Sequence, residues 1–138
     1  MIAFPTPTLE TLHEVYQIAL KSGGSNISQG EALSHIYGCA AGIDMTRRDL
    51  QKRAKENRKP WDTSKDVDQS AVITPLRQMA DVPSVASGRI HLSQNGTIKQ
   101  DADLSEMVWS VPEIIADLST MYTLQQGDVI YMGTPAGV

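Results

Sequence analysis

Asp44 stands at the end of an apolar run and is followed at once by cationic and amide side chains. The run from Ile36 to Ile43 predicts a β-strand, and Thr46 is predicted to cap a helix that extends to about Asn57. A carboxylate at a strand end, beside guanidinium and amide groups, could place a metal ligand next to groups that hold an anionic substrate. The alternative is that Asp44 is a turn residue and that the helix has a solvated basic face, formed by Arg47, Arg48, Lys52 and Arg53.

A second carboxylate, Glu14, lies on an earlier apolar run that also predicts a strand. Asp44 and Glu14 together could hold a hard divalent cation through oxygen. Mg²⁺ suits such a site, because it takes one or two carboxylates and fills its remaining positions with water and substrate oxygens. The three histidines do not show a metal-type spacing with a cysteine or with each other, which disfavours zinc.

Lys65 and Thr134 are two further candidates near predicted strand ends. Lys65 is flanked by Asp66 and Asp68, so it is either a paired surface lysine or a cation that neutralises an oxyanion beside the metal. Thr134, in the sequence GTPAG, offers a hydroxyl and loop amides to a carboxylate. The alternative for Thr134 is a turn whose glycines serve only the backbone.

The composition of the chain excludes several classes of protein. The 138 residues amount to one domain, and a net charge of −4 does not favour binding to nucleic acid or to an anionic membrane. Cys39 is the only cysteine, so an intramolecular disulfide is impossible, and its apolar surroundings predict a buried side chain. The sequence has neither a secretory leader pattern nor a run of roughly 18 apolar residues. We therefore expect a cytoplasmic protein.

The remaining elements predict a β-rich α+β domain. Asn95-Gly96 between two alternating runs predicts a hairpin with a type I′ turn. A helix is predicted from Val111 to Met121, with Pro112 in its first turn, and Ser105 is predicted to cap a short turn before it. Another short helix is predicted to begin after Ser28, with Glu31 completing a capping box. The other predictions are strands at 12–20, 71–76 and 128–132 and a loop at 61–70.

Four segments of the sequence resemble the fumarylacetoacetate hydrolase family. They are YGCAAGIDMTRRDLQ (37–51), KPWDTSKDVDQSAVITP (59–75), QNGTIKQ with DLSEMVWSVPEIIADLS (94–119) and LQQGDVIYMGTPAGV (124–138). They occur in the family's order, and the pattern D-x-x-x-R-D-x-Q is specific to it. IDMTRRDLQ most resembles bacterial fumarylpyruvate hydrolases, which act on acylpyruvates in gentisate-type aromatic degradation.

The resemblance implies a mixed β-roll-like fold, a homodimer and a site for Mg²⁺ or Mn²⁺. It implies that Asp44 binds the metal, that Arg48 and Gln51 contact the substrate, and that Thr134 holds a substrate carboxylate. Lys65 matches the family lysine beside metal and substrate, although the usual G-K-S-F is here Ser64-Lys65-Asp66-Val67. The implied substrate is a small diketo acid, which is cleaved hydrolytically at a carbon–carbon bond to pyruvate and a second acid such as fumarate.

The family's E-x-E metal ligands are not intact in this sequence. One alignment keeps Glu14 and puts Tyr16 in the second position, whereas alignment backwards from Asp44 puts His13 and Val15 there. The upstream segment that carries the family's catalytic histidine has no counterpart before His13, so we expect a partial domain, truncated at both ends. Two alternatives to the hydrolase therefore stay open: an inactive family member with a structural role or none, and an oxaloacetate decarboxylase or keto–enol isomerase.

Overall fold

The structure is a computed structural model that describes residues 14–135. The described residues form seven strands: β1 (Glu14–Leu20), β2 (Ile36–Asp44), β3 (Ala71–Ile73), β4 (Arg77–Gln78), β5 (Arg89–Gln94), β6 (Thr97–Asp103) and β7 (Val129–Tyr131). Its α-helices are α1 (Gln29–Ala32), α2 (Arg48–Glu56), α3 (Asp62–Lys65) and α4 (Val111–Met121). Short 3₁₀ helices occupy Leu33–His35, Met79–Asp81 and Leu104–Glu106. The β-rich α+β class is therefore confirmed.

The main sheet is antiparallel, with strand order β3-β2-β1-β7, and β4 also pairs with β2. Strand β1 is central: Val15 pairs with Gly42 of β2, and Gln17 pairs with both Ala40 of β2 and Tyr131 of β7. Residues that face each other across such a ladder lie on the same side of the sheet. Val15, Gln17, Gly42 and Tyr131 therefore share one face, and Asp44 belongs to it because it follows Gly42 by two residues.

The opposite face of the sheet carries the hydrophobic core. Ile18 and its cross-strand partner Ile130 are buried there, and they pack in one cluster with Val111 and Ile115 of α4. Cys39, the other partner of Ile18, is a buried free thiol within this cluster, as its apolar surroundings predicted. Burial of these side chains supplies the main stabilisation of the sheet–helix layer.

Helix α4 and the β5–β6 hairpin confirm the two strongest local predictions. Helix α4 spans Val111–Met121 as expected, and Ser110 with Glu113 forms a complete capping box before it. In the hairpin, Asn95 and Gly96 adopt φ angles of 51° and 80°, the positive values that a type I′ turn requires.

Four local predictions need correction. Thr46 does not cap α2: the helix begins at Arg48, and Thr46 is buried instead. The segment 61–70 is not wholly a loop, because it contains α3. The side chain of Ser28 donates to the Glu31 carboxylate at 2.6 Å, but it accepts no bond from the helix backbone, so the capping box is incomplete. Asp103, not Ser105, caps the turn that precedes α4.

None of the helices in residues 14–135 is long and apolar enough to cross a membrane.

Candidate active site

The structure joins Asp44 and Lys65 directly, although 21 residues separate them in the sequence. Lys65 Nζ donates to Asp44 Oδ2 at 2.5 Å, and both side chains keep about a third of their surface exposed (33% for Lys65 and 39% for Asp44). The surface alternative, in which Lys65 pairs with Asp66 or Asp68, is therefore not what the structure shows. A carboxylate and an ammonium group that remain open to solvent at the end of a strand can both contact a small charged ligand.

Backbone hydrogen bonds hold the segment of Lys65 against the end of β2. The amide of Arg47 donates to the carbonyl of Ser64 at 3.0 Å, and the amide of Met45 donates to the carbonyl of Ser70 at 3.1 Å. Ser64 itself is fully buried. Helix α3 ends at Lys65, so these contacts hold the backbone of Lys65 near the end of β2, within side-chain reach of Asp44.

Arg48 and Gln51 occupy the first turn of α2, which follows Asp44 closely in the sequence. Arg48 Nη1 donates to Gln51 Oε1 at 2.8 Å, so the two predicted substrate contacts form one pair on the same side of the helix. The helix N-terminus has no side-chain cap. Its first-turn amides therefore add positive potential near an anion bound at this end.

Thr134 reaches the same edge of the sheet as Asp44. Strands β2 and β7 are both antiparallel to β1, so they run in the same direction, and Ala40 and Tyr131 lie level with each other across Gln17. Asp44 follows Ala40 by four residues and Thr134 follows Tyr131 by three. The carboxyl ends of both strands thus lie at the same end of the sheet, with β1 between them.

Gln100 is a residue that sequence reasoning missed. It is almost fully buried (2% exposed) in β6, and its Nε2 donates to Thr134 Oγ1 at 2.7 Å. Because the amide N–H occupies one lone pair of the hydroxyl, it fixes the position of Thr134. No local signal identifies Gln100, since the contact joins residues 34 positions apart in the chain.

The negative charge of Asp44 acts on the phenol of Tyr131. Burial raises the pKa of the Tyr131 phenol above its ordinary value, and the negative charge of Asp44 raises that pKa further. Because Tyr131 lies on β7 and Asp44 on β2, this interaction spans the central strand β1 on the face that carries both side chains.

Gln17 and Thr46 are also functional candidates that sequence reasoning missed. Gln17 is fully buried and Thr46 is 2% exposed. In the part of the chain that the structure describes, the amide atoms of Gln17 and the hydroxyl of Thr46 have no hydrogen-bond partner. Gln17 was detectable as the polar member of the apolar run VYQIAL, at a position that alternation assigns to the face of Val15. Thr46 was misread as a helix cap.

Glu14 is placed only through its backbone. It pairs with Ile43, whereas Val15 pairs with Gly42, which is on the face of Asp44. Of the two alignments of the E-x-E pair, this register agrees with the one that puts the pair on His13 and Val15. His13 lies outside the described residues, and metal binding by Glu14 stays a prediction.

The described donors around Asp44 fit a hard cation that is held mainly by neutral oxygens. Residues 14–135 contain no group of three His, Cys, Asp or Glu side chains that could hold a metal. Asp44 supplies one carboxylate, and the buried amide of Gln17 and hydroxyl of Thr46 are oxygen donors without partners. One protein carboxylate with neutral oxygens is a donor set that Mg²⁺ accepts and Mn²⁺ also tolerates.

A cavity of about 690 Å³ lies elsewhere, between the main sheet and the β5–β6 hairpin. Its lining includes Tyr16, Cys39 and Ala41, which lie on the face of the sheet opposite Asp44, and also Arg89 and Leu104. None of the predicted site residues lines it. The cavity therefore does not mark the Asp44 site.

Comparison with known proteins identifies the family of the chain. Residues 18–138 match the family described as fumarylacetoacetate (FAA) hydrolase, C-terminal. The chain belongs to the fumarylacetoacetate hydrolase family, as the four sequence segments predicted. Fumarylpyruvate hydrolase of a Ralstonia species is 45% identical over 139 residues, which cover 99% of this chain and 71% of that protein.

Two further relatives show what this chain is similar to. The mitochondrial oxaloacetate tautomerase of Mus musculus is 34% identical over 127 residues, covering 91% of this chain and 58% of that protein. The crystal structure of fumarylpyruvate hydrolase from Pseudomonas aeruginosa, in complex with Mn²⁺ and pyruvate, superposes with a TM-score of 0.88 at 35% identity. That match covers 97% of this chain and 58% of the solved chain, so the present chain spans somewhat more than half of that structure.

Proposed function

We propose that this chain carries the site of a metal-dependent hydrolase that cleaves a carbon–carbon bond of an acylpyruvate such as fumarylpyruvate, in aromatic catabolism. The observation that carries the proposal is the contact between Asp44 and Lys65. In this contact the carboxylate that would hold the cation lies beside an ammonium group. Helix α2, which carries Arg48, begins four residues after Asp44, and Thr134 lies at the same end of the sheet. The similarity to two fumarylpyruvate hydrolases, one of them solved with Mn²⁺ and pyruvate, supports this choice of substrate.

Asp44 would hold the divalent cation, Mg²⁺ or Mn²⁺, together with neutral oxygens. When bound, the cation supplies Lewis-acid polarisation of the 1,3-dicarbonyl group of the substrate. Arg48, paired with Gln51, would hold an anionic part of the substrate through its guanidinium group. Thr134, fixed by Gln100, would donate its hydroxyl hydrogen to the other carboxylate.

In the reaction, the oxygen of water bonds to the acyl carbonyl carbon and the bond from that carbon to the methylene carbon breaks. The electron pair passes to the pyruvate half as an enolate, and a proton then adds to its methylene carbon. Lys65 would stabilise the negative charge on the enolate oxygen and orient that oxygen near Asp44. The products are pyruvate and, from fumarylpyruvate, fumarate.

Release of pyruvate tests the proposal. The purified chain is given fumarylpyruvate with Mg²⁺, with Mn²⁺ and with EDTA, and pyruvate is followed with lactate dehydrogenase and NADH. We expect metal-dependent release that EDTA abolishes. Absence of release with either cation would reject the hydrolase for this chain and favour the inactive family member.

Enolisation or decarboxylation of oxaloacetate is the second candidate. It is favoured by the similarity to a mitochondrial oxaloacetate tautomerase. A keto–enol shift needs only proton transfer and no activated water. Parallel assays on oxaloacetate and fumarylpyruvate would rank the two activities.

A homodimer is also proposed, from the family resemblance. Strand β3 at the sheet edge leaves Val72 and Ile73 46% and 40% exposed, and a partner subunit could cover such an edge. Sedimentation velocity over a range of concentrations tests this: a single monomeric species throughout would reject it.

A further inference from the structure

Gln17 is a polar side chain that the fold buries without satisfying. It is completely inaccessible to solvent, and neither its Nε2 nor its Oε1 has a hydrogen-bond partner within residues 14–135. A buried amide without partners destabilises a fold, because the groups lose water and gain nothing in return. An apolar residue at this position of β1 would remove that penalty. The stability of the sheet therefore does not explain why this position carries an amide.

The amide of Gln17 leans along the sheet towards Asp44. The Cα of Gln17 pairs with Ala40, yet a Cβ built on Gly42 would lie 1.7 Å from Gln17 Nε2. The side chain thus crosses diagonally onto Gly42, the residue that precedes Asp44 on the same face. Glycine is the residue that leaves this space open, since any larger one would displace the amide.

Two other groups add polar atoms to this region. Tyr131 pairs with Gln17 from the other side, on the face of Asp44. Thr46, two residues after Asp44, buries a hydroxyl that also has no hydrogen-bond partner among the described residues. Tyr16 is the remaining described side chain with such an atom, and it lines the cavity on the core side.

We infer that the Gln17 amide supplies a neutral oxygen ligand to the divalent cation held at Asp44. The inference rests on the proposed function, because it assigns a further ligand to the same site. An amide carbonyl is a normal ligand for hard cations, and its two ends exchange by a half-turn of the side chain. A neutral ligand also suits a fully buried position in the metal-free chain, because a second carboxylate there would carry a large desolvation cost until a cation compensates its charge.

If the Gln17 amide binds the cation, replacing it with an apolar side chain should raise the stability of the metal-free chain and lower its metal affinity. Gln17→Met keeps the length of the side chain and removes both polar atoms, so it should raise the melting temperature of the metal-free chain. The same change should weaken Mn²⁺ binding about tenfold or more, the usual scale for losing a group that supports a metal site. Gln17→Glu adds a negative charge beside Asp44 and should tighten Mn²⁺ binding by a similar factor.

The experiment is a titration of the full chain with Mn²⁺, with free Mn²⁺ measured by electron paramagnetic resonance. It compares the native chain with Gln17→Met, Gln17→Glu and Asp44→Ala, and circular dichroism checks that each variant folds. Ser119→Ala is the matched control: Ser119 is equally buried, but its hydroxyl donates to Ala116 and accepts from the Ile27 amide. This control should lower the melting temperature and leave Mn²⁺ affinity unchanged.

Each outcome bears on one claim. If folded Gln17→Met binds Mn²⁺ within about twofold of the native chain, Gln17 is only a structural residue and the inference is wrong. If Gln17→Met does not fold, Gln17→Glu decides: tighter binding supports the ligand and unchanged or weaker binding rejects it. If Asp44→Ala leaves Mn²⁺ affinity unchanged, the site in the proposed function fails as a whole. Loss of binding in Asp44→Ala with intact binding in Gln17→Met rejects the inference alone.

Discussion

Helices α2 and α4 differ in what they contribute to the molecule. Helix α4 begins with a complete capping box and buries Val111 and Ile115 in the core. Helix α2 has no side-chain cap, buries only Ala54, and carries Arg48 in its first turn, four residues after Asp44. The face with α4 supplies stability, whereas the face with Asp44 carries charged groups and, within residues 14–135, buried polar groups without hydrogen-bond partners. A ligand that binds such groups would stabilise the folded chain.

Among the variants that test this contrast between the two faces of the sheet, Asp44→Ala should have the largest effect. It removes the one carboxylate that the described residues contribute to the proposed metal site, so we expect complete loss of divalent-cation binding and of any pyruvate release. The melting temperature of the metal-free chain should change little, because the Asp44 side chain is 39% exposed and its ion pair with Lys65 is open to solvent. Isothermal calorimetry with Mg²⁺ and Mn²⁺ measures the binding.

Glu56→Ala, at the exposed end of α2, is the matched control for Asp44→Ala and should bind cations as the native chain does. Unchanged cation affinity in Asp44→Ala would contradict the assignment of the metal to this face.

Ile115→Ala tests the other face. Ile115 is completely buried in the cluster that joins α4 to the sheet. Its truncation should cost about 2–5 kcal/mol of unfolding free energy, from lost burial and a residual cavity. Urea denaturation measures the cost. Because the core is on the opposite side of the sheet from Asp44, Mn²⁺ affinity of the folded fraction should stay the same, and a parallel loss of affinity would contradict the contrast between the two faces.

Arg48→Ala addresses substrate binding without the metal. It removes the guanidinium group that donates to Gln51, so we expect KM for fumarylpyruvate to rise about tenfold or more, as a charge-assisted hydrogen bond would require. Mn²⁺ affinity should not change. Arg53→Ala, on the same helix but exposed, is the control and should leave KM as it is. An unaltered KM in Arg48→Ala would remove Arg48 from the site.

Local sequence signals predicted the elements of the stable face well. Asn95-Gly96 fixed the hairpin, and Ser110, Pro112 and Glu113 marked the start of α4, because in each case the determining contacts lie within a few residues. The apolar runs likewise predicted strands β1 and β2, although the alignment of β1 stayed open between two registers. The predicted elements gave the α+β class, and the family resemblance gave the β-roll-like fold.

The site was less predictable because its contacts are distant in the sequence. Charge spacing favoured Asp66 or Asp68 as the partner of Lys65, but α3 and its backbone bonds carry the ammonium group to Asp44. The same docking buries Thr46, which local propensity had assigned to a helix cap. Gln17 was not predicted as a site residue, because a polar residue in an apolar run does not show that its side chain will be left without partners.

Ser110→Ala should have the smallest effect of these variants, a modest loss of unfolding free energy on the α4 face. Loss of this cap should cost about 1 kcal/mol of unfolding free energy at neutral pH. The Ser110 hydroxyl donates to Glu113 Oε2 at 2.6 Å, and this bond, with the backbone bond from Ser110, lowers the pKa of Glu113. A carboxyl whose folded pKa is depressed stabilises the fold above its unfolded pKa of 4.5 and loses that contribution as the pH falls through the folded value. Urea denaturation at pH 7 and at pH 3 should therefore show a difference between native and Ser110→Ala chains that shrinks in acid. A difference that stays constant would mean that the hydroxyl acts without Glu113.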